Sequence, residues 1–129
     1  MKKLSIYLGL LLAGTMLLSI TGCYKDVIIP DAAVDPDGPP KAVAYKTELA
    51  PIFNTQCAIA GCHVSGSHKP YLPTADSYRE ITSGGFVNTL IPKQSILYKK
   101  INESMKEYIP KAEDRQKVYD WIRNGAPNN

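Results

Sequence analysis

The residues best suited to chemistry in this 129-residue chain are two cysteines and a histidine in one short stretch, CAIAGCH. Four residues separate Cys57 from Cys62, and His63 follows Cys62 directly. Two such thiols can each add across one vinyl group of a porphyrin, and the histidine then lies under the iron as the proximal ligand. The usual spacing is two residues, and the small residues between these cysteines allow the longer turn. The pattern therefore predicts one covalently attached haem c.

Two other uses of these side chains are open. In an oxidising compartment, Cys57 and Cys62 can form a disulfide that closes a short loop. That bond would staple a haem-free binding or structural module. A zinc ion could instead bind the two thiols, His63 and His68, but adjacent Cys62 and His63 are poorly placed for one tetrahedral ion. Haem attachment is the interpretation that best uses the histidine directly after the second thiol.

The N-terminus has the pattern of a bacterial export signal. Lysines precede an apolar run, residues 8–20, which is too short for a stable membrane span. The run ends at Gly22 and Cys23, and a small residue before a cysteine at this point resembles the lipobox of bacterial lipoproteins. The resemblance implies that residues 1–22 are a signal peptide and that Cys23 is acylated, anchoring the chain to a membrane. A secreted soluble protein is the alternative.

Lipid on Cys23 also explains the cysteine count. The chain has three cysteines, and an odd number in an exported protein needs an explanation. With Cys23 acylated, Cys57 and Cys62 are left as a pair. The chain from residue 23 to residue 44 is rich in proline and aspartate, which predicts a flexible tether. For residues 27–29, a loop packed on the domain is the alternative.

Residues 45–129 are left as the one folded domain. At 85 residues it builds a thin core and usually needs a staple, a metal or a cofactor. Its 11 lysines and arginines against 8 acidic residues make a mild positive charge, without an arginine-rich run, so nucleic acid is not an expected partner. Neither a phosphate-binding loop nor a nucleophile–histidine–acid pattern is present, so we do not expect an enzyme.

Apolar residues in this domain recur with helical spacing, and no stretch alternates like a strand. The pattern predicts an all-α domain of about four short helices. Thr74 is the predicted N-cap of the second helix. The apolar faces of the other three helices consist of Leu49, Ile52 and Phe53 in the first, Leu97, Ile101 and Met105 in the third, and Val118, Trp121 and Ile122 in the fourth. Acidic residues open the last helix, and Gly125 ends it.

The domain resembles a class I cytochrome c, and is most similar to the lipid-anchored cytochrome c-like domains of Bacteroidetes and their relatives. The stretches that carry the resemblance are YKTELAPIFNTQCAIAGCH, ILYKKINESM and VYDWIRNGA. It implies short helices around one haem, with the first and last helices crossing at right angles. That crossing would bring Phe53 against Val118 and Trp121.

The resemblance also implies a methionine before the last helix as the distal iron ligand. Met105 is the methionine in that region, although Lys106 follows it where the family often has proline. Met105 also continues the spacing of the third helix, so a core methionine is the alternative. His68 is poorly suited to the distal position because it lies only five residues after His63. Its expected place is a solvated loop.

Together these expectations describe a lipid-anchored monohaem cytochrome that relays electrons between redox partner proteins. It would lie in the cell envelope and face the periplasm or the cell surface. Lysines at positions 93, 99, 100 and 106 either steer an acidic partner or form an ordinary soluble surface.

Overall fold

The structure, a computed structural model, describes residues 36–129, and all the regular structure in this part of the chain is helical. The signal segment, Cys23 and the tether as far as residue 35 lie outside the described residues. The elements are a π-helical turn at Tyr45–Leu49, α1 at Ala50–Gln56, α2 at Ser77–Ser83, a 3₁₀ turn at Pro92–Gln94, α3 at Ile96–Asn102 and α4 at Ala112–Arg123. The prediction of an all-α domain with about four short helices is confirmed.

The last helix follows its sequence signals closely. Acidic Glu113 and Asp114 lie in the first turn of α4, where they favour the helix dipole. The helix ends before Gly125, whose φ of 88° suits glycine and carries the chain away from the helix axis. The apolar face of α4 is fully buried.

The start of α2 differs from the prediction. Thr74 lies outside the helix, which begins at Ser77. The carbonyl of Pro73 accepts the backbone N–H groups of Asp76 and Ser77 at 3.0 and 2.9 Å. A backbone acceptor thus takes the place that the sequence assigned to the threonine hydroxyl, and the prediction of Thr74 as the N-cap is wrong.

The third helix is shorter than its apolar spacing indicated. It ends at Asn102 because Glu103 leaves the helical region of the backbone, with φ −117° and ψ −103°. Met105 lies beyond the helix, and its N–H donates to the carbonyl of Lys100 at 2.8 Å. The Met105 side chain is 38% exposed, so the interpretation of this residue as a core methionine on the helix is wrong.

The core joins the first and last helical segments through Tyr45. Its ring centroid lies 6.3 Å from that of Phe53 and 5.1 Å from that of Trp121. All three rings are buried, and Trp121 Nε1 donates to the carbonyl of Pro127 at 2.9 Å. Phe53, Val118 and Trp121 belong to one hydrophobic cluster, with Tyr45 between Phe53 and Trp121.

The chain from residue 36 to residue 44, here called the strap, is packed on α4. The guanidinium of Arg123 donates from Nη1 to the carbonyls of Pro36 and Gly38 at 3.2 and 2.7 Å. Val43 is buried in the core. This end of the tether predicted from the sequence is therefore part of the packed unit, and the packing begins before Tyr45.

Candidate cofactor site

The CAIAGCH stretch forms a tight loop directly after α1. The N–H of His63 donates to the carbonyl of Cys57 at 3.1 Å and closes the loop, while the N–H of Cys62 donates to the carbonyl of Ile59 at 3.0 Å. Gly61 adopts φ 81°, a left-handed conformation that favours glycine. Ile59, Ala60 and Gly61 are exposed, whereas Ala58 packs against the core, and both cysteines and the histidine stay within one loop.

Both cysteines of the loop are free thiols, and each is half-buried. Burial raises the pKa of Cys57 to about 11, and the nearby Cys62 raises it further in a smaller way. The Cys57 thiol is therefore neutral near pH 7. A catalytic or metal-binding cysteine needs a thiolate, which surroundings of this kind disfavour.

The imidazole of His63 is oriented by the backbone that follows it. Its Nδ1 lies 3.1 Å from the carbonyl oxygen of His68 and 3.0 Å from that of Pro70. Because carbonyl oxygens only accept hydrogen bonds, Nδ1 carries the proton and donates it. In this tautomer of the imidazole the lone pair lies on Nε2, which has no hydrogen-bond partner among residues 36–129. A histidine that binds a metal through one nitrogen and donates the other N–H to a carbonyl has this arrangement.

His68 lines the cavity described below, and its backbone carbonyl accepts the hydrogen bond from His63. Its ring is exposed, and its Nδ1 lies 3.1 Å from the hydroxyl of Ser67. Among residues 36–129, no group of three or more His, Cys, Asp or Glu side chains is arranged to hold a metal ion. The four side chains considered for zinc therefore do not form such a group.

A largely apolar cavity of about 500 Å³ adjoins the loop. Ligand clefts in proteins commonly measure about 300–1,000 Å³. Part of the lining comes from the loop and the chain after it, and part from α3 and the turns that follow it. The lining includes Phe53, Gln56, Cys57, Cys62, His63, His68, Leu72, Phe86, Leu97, Lys100, Ile101, Met105, Tyr108 and Ile109.

Met105 reaches this cavity from the turns after α3. Its N–H is bound to Lys100, and its carbonyl accepts the N–H of Tyr108 at 3.1 Å. The structure thus brings Met105 into the same cavity lining as Cys57, Cys62 and His63. All four candidate residues of the described chain line one cavity.

Two polar residues of the lining were missed by the sequence interpretation. The Oε1 atom of Gln56 is buried without a hydrogen-bond partner among the described residues, so it can accept a hydrogen bond from a ligand. Tyr108 is exposed, and the neighbouring Glu107 raises the pKa of its hydroxyl. The position of Gln56 directly before Cys57 was a usable signal, whereas nothing in the spacing pointed to Tyr108.

Comparison of the chain with models of known families, with characterised proteins and with solved structures finds no match. What the site can do is therefore derived from its own residues. Over residues 36–129, no helix has both the length and the apolar character needed to cross a bilayer.

Proposed function

We propose that the protein is a lipid-anchored monohaem c-type cytochrome that carries single electrons between redox proteins of the cell envelope. The observation that carries the proposal is the orientation of His63. Its Nδ1–H is directed at two backbone carbonyls, its Nε2 has no hydrogen-bond partner within residues 36–129, and it lines the cavity beside two free thiols. Class I cytochromes c, which the sequence resembles, use two thiols and such a histidine.

The donor set and the cavity fit a covalently held haem. Cys57 and Cys62 lie in one closed turn and can supply two thioether bonds. His63 offers the imidazole nitrogen Nε2, a type of ligand that haem iron would take. The mostly apolar lining suits the faces of a porphyrin, and its volume is within the range of ligand clefts.

A bound haem would supply the one-electron couple of its iron. The residues of the chain hold and tune that group. The hydrogen bonds from Nδ1 of His63 fix the orientation of the ring and make Nε2 a stronger ligand for a metal ion. Apolar side chains such as Leu97 and Ile101 line the cavity and would exclude water from the bound group. The soft thioether of Met105 would be the second protein ligand of the iron, and it would favour the reduced state over the oxidised state.

The membrane anchor in this proposal is lipid on Cys23, which lies outside the described residues. Twelve residues separate Cys23 from the first residue of the strap. Fully extended, a chain of that length reaches about 40 Å. The strap is bound to α4, so the domain would be held within that distance of the lipid. Redox partners would then be proteins at or near the same membrane.

The test is to produce the protein in a host that attaches c-type haem and to measure its mass after denaturation. We expect the mass of the chain from Cys23 onward, with its lipid and one haem, and a visible absorption spectrum. The double variant Cys57→Ser/Cys62→Ser should lose the haem mass and the spectrum. A colourless protein that lacks two hydrogens and does not react with a thiol reagent would instead support the haem-free module with a Cys57–Cys62 disulfide. A colourless protein with two free thiols would contradict both.

A further inference from the structure

The interior of the domain holds an arginine that the proposed electron transfer does not use. Arg115 lies on α4 and is 9% exposed. Its Nη1 donates to the carbonyls of Ile109 and Pro110, both at 2.6 Å. Its Nε is buried without a partner, and no ion pair of this residue occurs within residues 36–129. Buried arginines are rare unless they are paired. Two backbone carbonyls are therefore what hold this cation in place.

Those carbonyls belong to the segment that brings Met105 to the cavity. Ile109 is buried and lines the cavity. The N–H of Tyr108 binds the carbonyl of Met105, and the N–H of Met105 binds the carbonyl of Lys100 at the end of α3. The turn is therefore held at one end by α3 and at the other end by Arg115 on α4. At most four residues lie between Met105 and the carbonyls that Arg115 binds.

We propose that Arg115 is a positioning residue for this turn and determines where the Met105 thioether lies in the cavity. The inference deepens the proposed function and rests on it, because it takes Met105 as the distal ligand. Hydrogen bonds from a charged donor are roughly twice as strong as neutral ones. The planar guanidinium is also more pre-organised than a lysine ammonium on a flexible stem. Loss of Arg115 should therefore loosen Met105 without removing it.

Arg123 is a matched control on the same helix. It also donates from Nη1 to two backbone carbonyls, but these belong to Pro36 and Gly38 of the strap. Arg123 does not line the cavity. Substituting it removes a comparable pair of hydrogen bonds and the same charge at a different place, together with an ion pair to Asp120 at 3.5 Å. A general loss of stability should affect both variants, whereas loss of positioning should affect only the Arg115 variant.

The experiment compares Arg115→Met, Arg115→Lys and Arg123→Met with the wild-type protein. Amide hydrogen exchange is measured at Met105 and Tyr108. Imidazole, which competes with Met105 for the iron, is titrated into the haem-loaded ferric protein. For Arg115→Met we expect about tenfold faster exchange at both amides and about tenfold tighter imidazole binding, the size expected for losing a charged hydrogen bond. Arg115→Lys should be intermediate. Arg123→Met should change neither measurement by more than about twofold, consistent with independent sites.

Unchanged exchange and imidazole affinity in Arg115→Met would overturn the positioning role, as would equal changes in Arg123→Met. If Arg115→Met does not fold, Arg115→Lys decides by the same two measurements, and wild-type values would overturn the proposal. The two proposals fail separately. A chain without haem contradicts the electron-transfer function, and exchange at Met105 and Tyr108 then still tests whether Arg115 fixes the turn. A haem protein with wild-type behaviour in both Arg115 variants contradicts the positioning role alone.

Discussion

The imidazole Nδ1 of His63 donates a hydrogen bond to the carbonyl oxygen of Pro70 across 3.0 Å. The same stretch folds back a second time, since the N–H of Leu72 donates to the carbonyl of His63 at 2.8 Å. Backbone atoms therefore set both the tautomer and the direction of the ring. This relationship gives the histidine a lone pair at Nε2 that is available to a metal.

Replacing His63 should show whether this residue is an iron ligand or an ordinary loop histidine. In the haem-loaded protein, His63→Ala should change the absorption spectrum of the iron and lower the midpoint of denaturation. His68→Ala is the matched control, because it removes an exposed ring and keeps the backbone carbonyl that His63 uses. Absorption spectra and denaturant titrations check both variants. Equal effects of the two substitutions would contradict the assignment of His63.

Met105→Leu tests the distal ligand. The two side chains have similar volumes, so the free energy of unfolding should fall by less than about 1.5 kcal/mol if packing alone changes. Loss of the thioether should abolish the weak far-red sulfur-to-iron band of the ferric protein and lower its reduction potential. Spectroscopy and a redox titration measure both properties. A wild-type band and potential in this variant would show that Met105 does not bind the iron.

Tyr45→Phe tests the polar contact in the core. The Tyr45 hydroxyl lies 2.8 Å from the Oγ of Ser77, and both residues are buried. Removing one partner leaves the other without a hydrogen bond, which should cost about 1–3 kcal/mol of unfolding free energy. Urea titration measures it. The double variant with Ser77→Ala should regain part of the loss, and purely additive losses would mean that the two groups do not interact.

The strap should depend on pH through Asp37. Its hydrogen bond to Lys93, 2.8 Å from Nζ to Oδ2, holds the pKa of Asp37 below its ordinary value of 3.8. The folded-state pKa is thus below the unfolded one, so the contribution to stability is complete above the unfolded value. It is lost as the pH falls through the folded value. Asp37→Asn should therefore be slightly less stable than wild type at pH 7, and the difference should disappear near pH 2.

The Asp37 difference is checked by denaturant titrations at several pH values and salt concentrations. Both partners are exposed, so we expect the difference to be small and to weaken in high salt. The difference in stability between Lys93→Met and wild type should also decrease as the pH falls through the acidic range. A difference between Asp37→Asn and wild type that persists below the folded pKa of Asp37 would show that the carboxylate charge is not its cause.

Cys23→Ala tests the anchor. Without the acceptor cysteine, lipid cannot be attached, and no helix within residues 36–129 can span a bilayer. We expect the variant to leave the membrane fraction when cells are fractionated. Retention of the variant in that fraction would show that the uncleaved signal segment or a partner protein holds it.

Local patterns in the sequence were sufficient to predict the helical class and several of the helix ends. The end of α4 at Gly125 and its buried face, with Val118 and Trp121, depend on neighbours three or four residues apart. The pair Cys57 and Cys62 with its histidine was likewise visible, because the chemistry lies within one loop. Thr74 was misjudged because a backbone carbonyl competes with its hydroxyl, and backbone acceptors have no sequence signature.

The environment of the site was decided only by the tertiary structure. Met105 continues the apolar spacing of α3, yet the backbone leaves the helix at Glu103 and takes the methionine to the cavity. The strap is held by Arg123 across more than 80 residues of chain. Spacing within a short window carries no information about such long-range contacts. They form because buried donors must find acceptors and apolar faces must find each other, and only the folded chain determines which ones meet.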